Sequence, residues 1–454
     1  MTDTIAAIAT AQAPGALGVV RISGPDARAV ADRVFRAKNG KPLSQSAGYT
    51  MRYGHAVQDG ETIDEVVALV FAAPHSYTGE DVIELDCHGG LVVTSRVLQA
   101  VLQAGARAAE AGEFTKRAFL NGRISLTQAE AVMGIIGAQG KNAARASQAA
   151  LSGKTAQRIA AVTQDLTHAA AALAAWTDYP EDDVPAVDGG DLEQSLYAAL
   201  QKVEDLLCQS ESGKAFTQGI PTAIVGRPNV GKSPLMNLLA GEERSIVTQI
   251  AGTTRDVVEE TVSFAGVLLR LSDTAGIHET ADEVEQIGVA RAKERLQQAS
   301  LVFAVFDQSN SLEDEDLCLA EQCKGRNAVC IINKSDLPAR FDAALLEPYF
   351  CQTVSISAKE GDGLEQLQNA VTSLLGTAAL DPAAGLLTTA RQLDCARAAR
   401  DALLQGLDAL QCGMTLDAVG VCVDDAIAAM LSLSGERVSE RVVQEIFASF
   451  CVGK

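Results

Sequence analysis

The chain has 454 residues, 47% of them hydrophobic and 21% charged. That length suggests about three domains, and the composition supports packed cores rather than a disordered chain. The 37 basic and 58 acidic side chains give a formal charge of −21, which excludes a protein whose whole surface grips nucleic acid by counterion release. No apolar run long enough to span a membrane is present, and the opening MTDTIAAIATAQAPG lacks the basic start of a secretory signal. A cytoplasmic location is expected. The ten cysteines include no CxxC pair, and five histidines are too few and scattered for a zinc module. They read as reduced thiols serving mostly as small apolar fillers, Cys451 excepted.

Residues 1–120 carry 11 basic and 13 acidic side chains and read as a compact α+β domain. Strands are predicted at Leu17–Ile22, Glu65–Phe71 and Asp81–Leu85, and helices at Asp26–Phe35 and Gly90–Gln103. From Ser125 to about Leu207 the pattern is helical and Ala-rich, with turn signals at Tyr179–Pro180 and Asp188–Gly190. Helical pattern returns at Thr388–Leu410 and Asp424–Cys451, so something is inserted into an all-α domain. The insertion, residues 219–378, has 13 basic and 23 acidic side chains. Its apolar runs Thr222–Val225, Leu268–Ser272, Leu301–Phe306 and Ala328–Ile332 alternate with helical segments such as Gly288–Gln298 and Leu364–Leu374. That alternation predicts a parallel sheet wrapped by helices. The expected fold is therefore multidomain: an α+β N-terminal domain (1–120), an all-α helical domain in two parts (121–218 and 379–454), and an inserted α/β P-loop domain (219–378).

The insertion carries its chemistry in short motifs. Gly226-Arg227-Pro228-Asn229-Val230-Gly231-Lys232-Ser233 follows a predicted strand and opens a predicted helix. Glycines there let backbone N–H groups wrap a phosphate chain at a helix N-terminus. Lys232 would reach the β- and γ-phosphates and the Ser233 hydroxyl would ligate Mg²⁺. Asp273-Thr274-Ala275-Gly276 closes a strand, placing a carboxylate near the metal and an N–H near the γ-phosphate. Asn333-Lys334-Ser335-Asp336 follows the next buried strand; one carboxylate matches the adjacent N1–H and N2–H₂ donors of guanine but not adenine. Ser357-Ala358-Lys359 fits the loop covering the base, and Gly252-Thr253-Thr254-Arg255-Asp256 offers Thr254 as a second Mg²⁺ ligand in a switch segment. In this order the motifs specify a GTPase.

Many GTPases place a water-orienting Gln after the DxxG glycine; here the position is Ile277, which cannot orient water. Composition leaves Glu279, Asp282, Glu283 and Glu285 equally open as substitutes. The motifs alone also fit a switch of the ribosome-assembly type, or a G domain that binds GTP with negligible turnover.

The runs GRPNVGKS, IVTQIAGTTRD and DTAGIHETADEVEQIG inside a helical domain, with RISG, SYTGEDVIEL, HGG, GEFTKRAFLNGRISLTQAEAV and the terminal FCVGK, resemble the MnmE (TrmE) family of bacterial tRNA-modification GTPases. The resemblance covers essentially the whole chain. It implies a potassium-dependent GTPase working with a flavoprotein (MnmG, or GidA) in a heterotetramer, FAD residing on that partner. Together they would add an aminomethyl or carboxymethylaminomethyl group to C5 of the wobble uridine of certain tRNAs, with a 5,10-methylene- or 5-formyl-tetrahydrofolate as one-carbon source. It implies that the N-terminal domain binds this folate and forms a homodimer. It places K⁺ on Asn229, Thr248, Ile250 and Thr253, and the nucleotide on Asn229, Val230, Gly231, Lys232, Ser233 and Pro234, on Thr248, Gln249, Ile250, Ala251, Gly252, Thr253 and Thr254, and on the DTAG, NKSD and SAK motifs. It selects Glu285 as catalytic acid, Arg21, Glu84, Arg123 and Lys454 as folate contacts, and Cys451 as a residue of the modification rather than of hydrolysis. One departure stands out: the family has Ser or Thr where this chain has Pro234, whose missing N–H is expected to weaken nucleotide binding while leaving the helix intact. With aromatics only 4% and no basic stripe, the partner is expected to supply much of the RNA grip.

Overall fold

The structure is a computed structural model that describes residues 3–178, 189–242, 259–272 and 296–454. It divides into two compact units, one formed by residues 1–133 with 431–454 and the other by residues 134–430.

The first unit is built on a seven-stranded sheet. Its strands are β1 (Ile5–Ile8), β2 (Leu17–Ser23), β3 (Phe35–Ala37), β4 (Thr50–Gln58), β5 (Glu61–Phe71), β6 (Val82–His88) and β7 (Arg107–Ala108), ordered β3-β4-β5-β6-β2-β1-β7. All pairs are antiparallel except β1–β7. Strand alternation sorts the side chains. Val20, Ile22, Val66, Ala68, Val70, Ile83 and Leu85 are buried with α1 (Ala27–Val34) and α2 (Leu91–Gln103). Arg21, Glu84 and Asp86 therefore stand on the opposite face, where Phe114 of α3 (Glu113–Leu120) packs on Ile5 and Ala7.

An arginine with no exposed side-chain surface ties this unit together. Arg117 bonds Asp3 O and Oδ1 (both 2.9 Å), Glu80 (3.2 Å) and Glu113 (3.1 Å), while Arg107 bridges Asp3 and Glu113. Hydrogen bonding from Arg107 holds the Asp3 carboxyl below its ordinary value. Burial opposes ionisation of Glu113, but Arg107 and Arg117 outweigh it and the net shift is downward.

Helix α4 (Leu126–Ile136) begins in this unit, and its Leu126 and Ala129 pack with Val443, Phe447 and Phe450 of the C-terminal segment. The helical run expected over Asp424–Cys451 is two helices, one ending at Ser434 and the next spanning Glu440–Ala448. Gly435 (φ +96°) breaks it; a Cβ there would strike Leu126. Ser439 restarts it as an N-cap, its Oγ accepting from Val442 N.

The second unit contains α5 (Lys141–Leu151), α6 (Lys154–Asp178), α7 (Gly189–Thr217) and α11 (Ala390–Gln411), which pack through alanines such as Ala146, Ala149, Ala396 and Ala399. Gly189 and Gly190, expected as a turn, form the start of α7; Tyr179–Pro180 and Asp188 lie outside the described residues. Inserted after α7 is a six-stranded sheet of β8 (Ile220–Val225), β9 (Glu259–Phe264), β10 (Val267–Ser272), β11 (Leu301–Asp307), β12 (Ala328–Asn333) and β13 (Gln352–Ser355). Its order is β13-β12-β11-β8-β10-β9, parallel throughout except for the antiparallel edge strand β9, which sequence pattern missed. Helices α8 (Lys232–Glu242), α9 (Asp314–Cys323) and α10 (Leu364–Leu374) accompany it. The returning chain is stitched to the bundle by Leu387 N on Ser210 Oγ (2.8 Å), Thr155 on Leu386 O (3.3 Å) and Arg158 on Ala384 O (3.3 Å). The molecule is thus an α+β domain, a helical domain and an inserted α/β P-loop domain. Among the described residues no helix is long and apolar enough to cross a membrane.

The thiols depart from expectation. Only Cys87, Cys323 and Cys330 are buried, where burial pushes them to about 11, 11 and 12. Cys208, Cys318, Cys351, Cys412 and Cys451 are exposed, so most are not core fillers.

Candidate functional site

The phosphate loop joins β8 to α8, and its backbone needs the residues it has. Gly226 and Gly231 sit at φ +154° and +100°, and a Cβ on either would collide with Val305 O or Asn333 Nδ2. Asn229 also takes a positive φ of 63°, which Asn tolerates better than most residues. Val230 is buried, anchoring the loop in the sheet's core. Lys232 Nζ donates to the carbonyls of Gly226 and Arg227, each at 2.7 Å, and burial lowers its pKa. A half-buried ammonium held by loop carbonyls is poised for an anionic partner that restores its lost solvation. Ser233 and Asn229 are exposed, so their oxygens are open to a hard cation. Pro234 is the third residue of α8, and the helix runs on to Glu242 as expected for a proline in a first turn.

The Asn333–Asp336 and Ser357–Lys359 motifs are locked to this loop. Asn333, 2% exposed at the end of β12, donates from Nδ2 to Val230 O (2.8 Å) and accepts at Oδ1 from Ala358 N (3.0 Å). One side chain therefore connects the phosphate loop to the Ser357-Ala358-Lys359 loop. Lys334 takes φ +65° and its Nζ meets Asp307 Oδ2 at 2.6 Å. Burial raises the Asp307 carboxyl, but Lys334 and Ser309 outweigh it and hold it below the ordinary range. Ser335 N donates to Ile356 O (3.0 Å), and Ser357 Oγ donates to Asp336 Oδ1 (2.7 Å), orienting an exposed carboxylate. Lys359 is exposed beside Glu360.

The expected folate contacts lie in the first unit. Arg21 and Glu84 are cross-strand partners on β2 and β6, joined at 2.7 Å with side chains 17% and 18% exposed. Arg21 Nη1 also donates to Gly453 O (3.3 Å) and its guanidinium lies 5.4 Å from the Tyr77 ring centre and 5.5 Å from that of Phe114. The C-terminal tail reaches it through an antiparallel bridge from Val452 to Ala111, with Gly112 N on Cys451 O (3.3 Å) and Phe114 N on Lys454 O (3.2 Å). Gly453 (φ +97°) has no room for a Cβ against Ile8 O. Arg123 is exposed and donates to Ser76 O (3.3 Å), the residue before Tyr77. Cys451 is exposed beside this tail, not a buried end of the Phe447–Phe450 face.

Thr248, Gln249, Ile250, Ala251, Gly252, Thr253, Thr254, Asp273, Thr274, Ala275, Gly276 and Ile277 lie outside the described residues, as do Glu279, Asp282, Glu283 and Glu285. Sequence reasoning missed Asp307 as the partner of Lys334, Tyr77 and Phe114 as the rings flanking Arg21, and the acidic partners of Arg227. Only the first had a local signal: a carboxylate ending the strand beside NKSD.

Sequence profiles and relatives fit this architecture. The profile of the GTP-binding protein TrmE N-terminus matches residues 4–123, and that of the MnmE helical domain matches residues 126–451. The tRNA modification GTPase MnmE of Bacillus licheniformis is 41% identical, covering 100% of this chain and 100% of that protein. That of Listeria innocua is 42% identical over 100% of this chain and 99% of that protein. Among solved structures, the G domain of the T. maritima FeoB iron transporter aligns with 34% of this chain and 96% of its own, at 25% identity and a TM-score of 0.26. Matched along its whole length, the chain belongs to the MnmE (TrmE) family of tRNA modification GTPases.

Proposed function

We propose that this GTPase acts on the wobble uridine of tRNA, adding an aminomethyl or carboxymethylaminomethyl group at C5 together with a flavoprotein partner that carries FAD. The observation that carries the reading is the meeting of Arg21, Glu84 and the C-terminal tail, three separate stretches of chain, at one place beside Tyr77 and Phe114. A cation, a carboxylate and two rings suit a reduced pterin, whose adjacent N–H donors match a carboxylate, with Arg123 and Lys454 for a glutamyl tail. In this reading residues 1–120 bind a tetrahydrofolate derivative and dimerise, residues 219–378 bind GTP, and the two helical stretches, 121–218 and 379–454, carry them. The exposed Cys451 beside the tail serves the modification rather than hydrolysis.

At the nucleotide, Lys232 exchanges its loop carbonyls for phosphate oxygens, Asp336 accepts from guanine, and Asn333 holds the two loops in register. Ser233 and Thr254 would hold Mg²⁺; Asn229, Thr248, Ile250 and Thr253 would hold K⁺, a charge beside the phosphates that can replace an arginine finger. Glu285 orients the attacking water in place of the Gln missing at Ile277. The test couples hydrolysis to modification: Glu285→Ala is expected to bind GTP, lose most turnover, and leave wobble uridine unmodified in cells carrying only that variant. Equal hydrolysis rates in Na⁺ and K⁺, or normal wobble nucleosides from the Glu285 variant, would overturn it.

A further inference from the structure

Arg227 is the second residue of the phosphate loop, and three carboxylates hold its side chain. Glu313 lies at 2.5 Å, Asp316 at 3.2 Å and Glu315 at 3.7 Å, all in the turn that opens α9. The Arg227 carbonyl accepts from Lys232 Nζ at 2.7 Å. One residue thus touches both the lysine suited to nucleotide phosphates and three members of an unbroken run of four acids, Glu313–Asp316.

Helix capping explains part of that run. Glu313 is the N-cap of α9 and Asp316 its N3 residue, and their side chains form a reciprocal capping box; Asp316 is only 5% exposed. Glu315 has no such duty: its side chain is 76% exposed and turned toward Arg227. A cluster of like charge beside a triphosphate site opposes binding of the triphosphate, and at this range salt screens it only in part. The cation that meets these acids is Arg227, whose planar fork can face several carboxylates at once and whose backbone belongs to the phosphate loop.

We propose that Arg227 is an electrostatic screen between the acidic turn Glu313–Asp316 and the phosphate loop, and that this screen sets nucleotide affinity, more for GTP than for GDP. It is a positioning residue, not a catalytic one: it acts through the field at Lys232 and through no reacting atom. GTP feels the field more because it carries the additional phosphate.

The test measures binding of fluorescent GTP and GDP to the full chain, at constant K⁺ and Mg²⁺ and two NaCl concentrations. Arg227→Ala is expected to weaken GTP about tenfold and GDP about threefold at low salt, with the gap closing at high salt, and the loss appearing in KM rather than kcat. Adding Glu313→Gln and Glu315→Gln to that variant restores GTP affinity to within about threefold of the parent, because it removes the field that Arg227 had neutralised. Arg227→Lys retains most of the affinity, and Glu313→Gln/Glu315→Gln with Arg227 intact binds GTP at least as tightly as the parent. These last two variants keep the loop's cation, so they read the field even where Arg227→Ala disturbs folding. Unchanged GTP affinity in Arg227→Ala, a loss that neither salt nor the added Gln residues repair, or weakened binding in Glu313→Gln/Glu315→Gln would each overturn the proposal.

Discussion

The nucleotide loop and the Arg21–Glu84 region differ in how their parts are drawn from the chain. Between them, the loop and its supports span Gly226 to Ala358 inside one sheet, and each part sits at a strand end. Around Arg21 the contacts join residues 63 and 432 positions apart. A parallel sheet delivers its strand ends to one edge, so short local motifs suffice to build a site there. The other region depends on a buried ion network and on a tail returning from the far end of the chain. The first site is therefore robust to changes outside its sheet, and the second is sensitive to them.

The strongest way to break that contrast is at Arg117. Removing it takes the guanidinium from the largely covered Glu80 and leaves Glu113 with Arg107 alone. Arg117→Met should destabilise the first unit by about 3–5 kcal/mol, because loss of one partner strands buried charge. Urea unfolding of the full chain would show an early transition confined to that unit while GTP binding persists; loss of GTP binding at the same midpoint would mean the two regions are not independent.

Next comes the link inside the nucleotide site. Asn333→Ala leaves Val230 O and Ala358 N unpaired, at a cost of about 2–4 kcal/mol spread over loop order and affinity. Nucleotide titration should show GTP and GDP weakened alike, by about a hundredfold. A change confined to one nucleotide would place Asn333 at the phosphates rather than between the loops.

A smaller effect is expected in the opposite direction. Pro234→Ser restores an N–H in the first turn of α8, and one such donor to a charged oxygen contributes about 1.5–3 kcal/mol. GDP and GTP should both tighten, by roughly ten- to a hundredfold, since both carry the α-phosphate. Calorimetry showing no change, or tightening of GTP alone, would remove Pro234 from the account of affinity.

Acidification has the smallest and most general effect. Asp3, Glu113 and Asp307 are all held below their ordinary values in the folded chain, so unfolding lets each bind a proton more readily. Their contribution is complete above the usual carboxylate range, about pH 4, and is lost as pH falls through the lower folded values. Amide exchange in β1 and in β12 should accelerate below that range in both units. Exchange that is independent of pH there, after correction for intrinsic rates, would mean these ion pairs contribute nothing to either.

Legibility in the sequence followed the same division. Buried parallel strands such as Leu301–Asp307 and Ala328–Asn333 are continuous apolar runs, and α10 was readable from its helical spacing. Strands β9 and β13 escaped because edge strands need only one buried face, and EETVSF begins with two carboxylates. In the first unit β1 is IAAI, four small or aliphatic residues that periodicity cannot separate from helix. The break at Gly435 did carry a signal, Ser434-Gly435 followed by Ser439, which the helical pattern on either side masked. The motif residues of the nucleotide loop were legible because their backbone demands glycine at fixed positions. The contact of Arg21 with Gly453 was not, since nothing in local spacing joins positions 432 apart.

The discontinuous first unit also imposes an order on synthesis. Residues 1–133 emerge early, but residues 431–454 follow only after Gly134–Met430 has been made. At about 5–20 residues per second that gap lasts roughly 15–60 s. Throughout it the face of Leu126 and Phe119 lacks Phe447 and Phe450, and the N–H groups of Gly112 and Phe114 lack the carbonyls of Cys451 and Lys454. The unit begun first is closed last, so the nascent chain carries an open apolar face through most of translation, and ribosome pausing within Gly134–Met430 lengthens its exposure to chaperones and proteases.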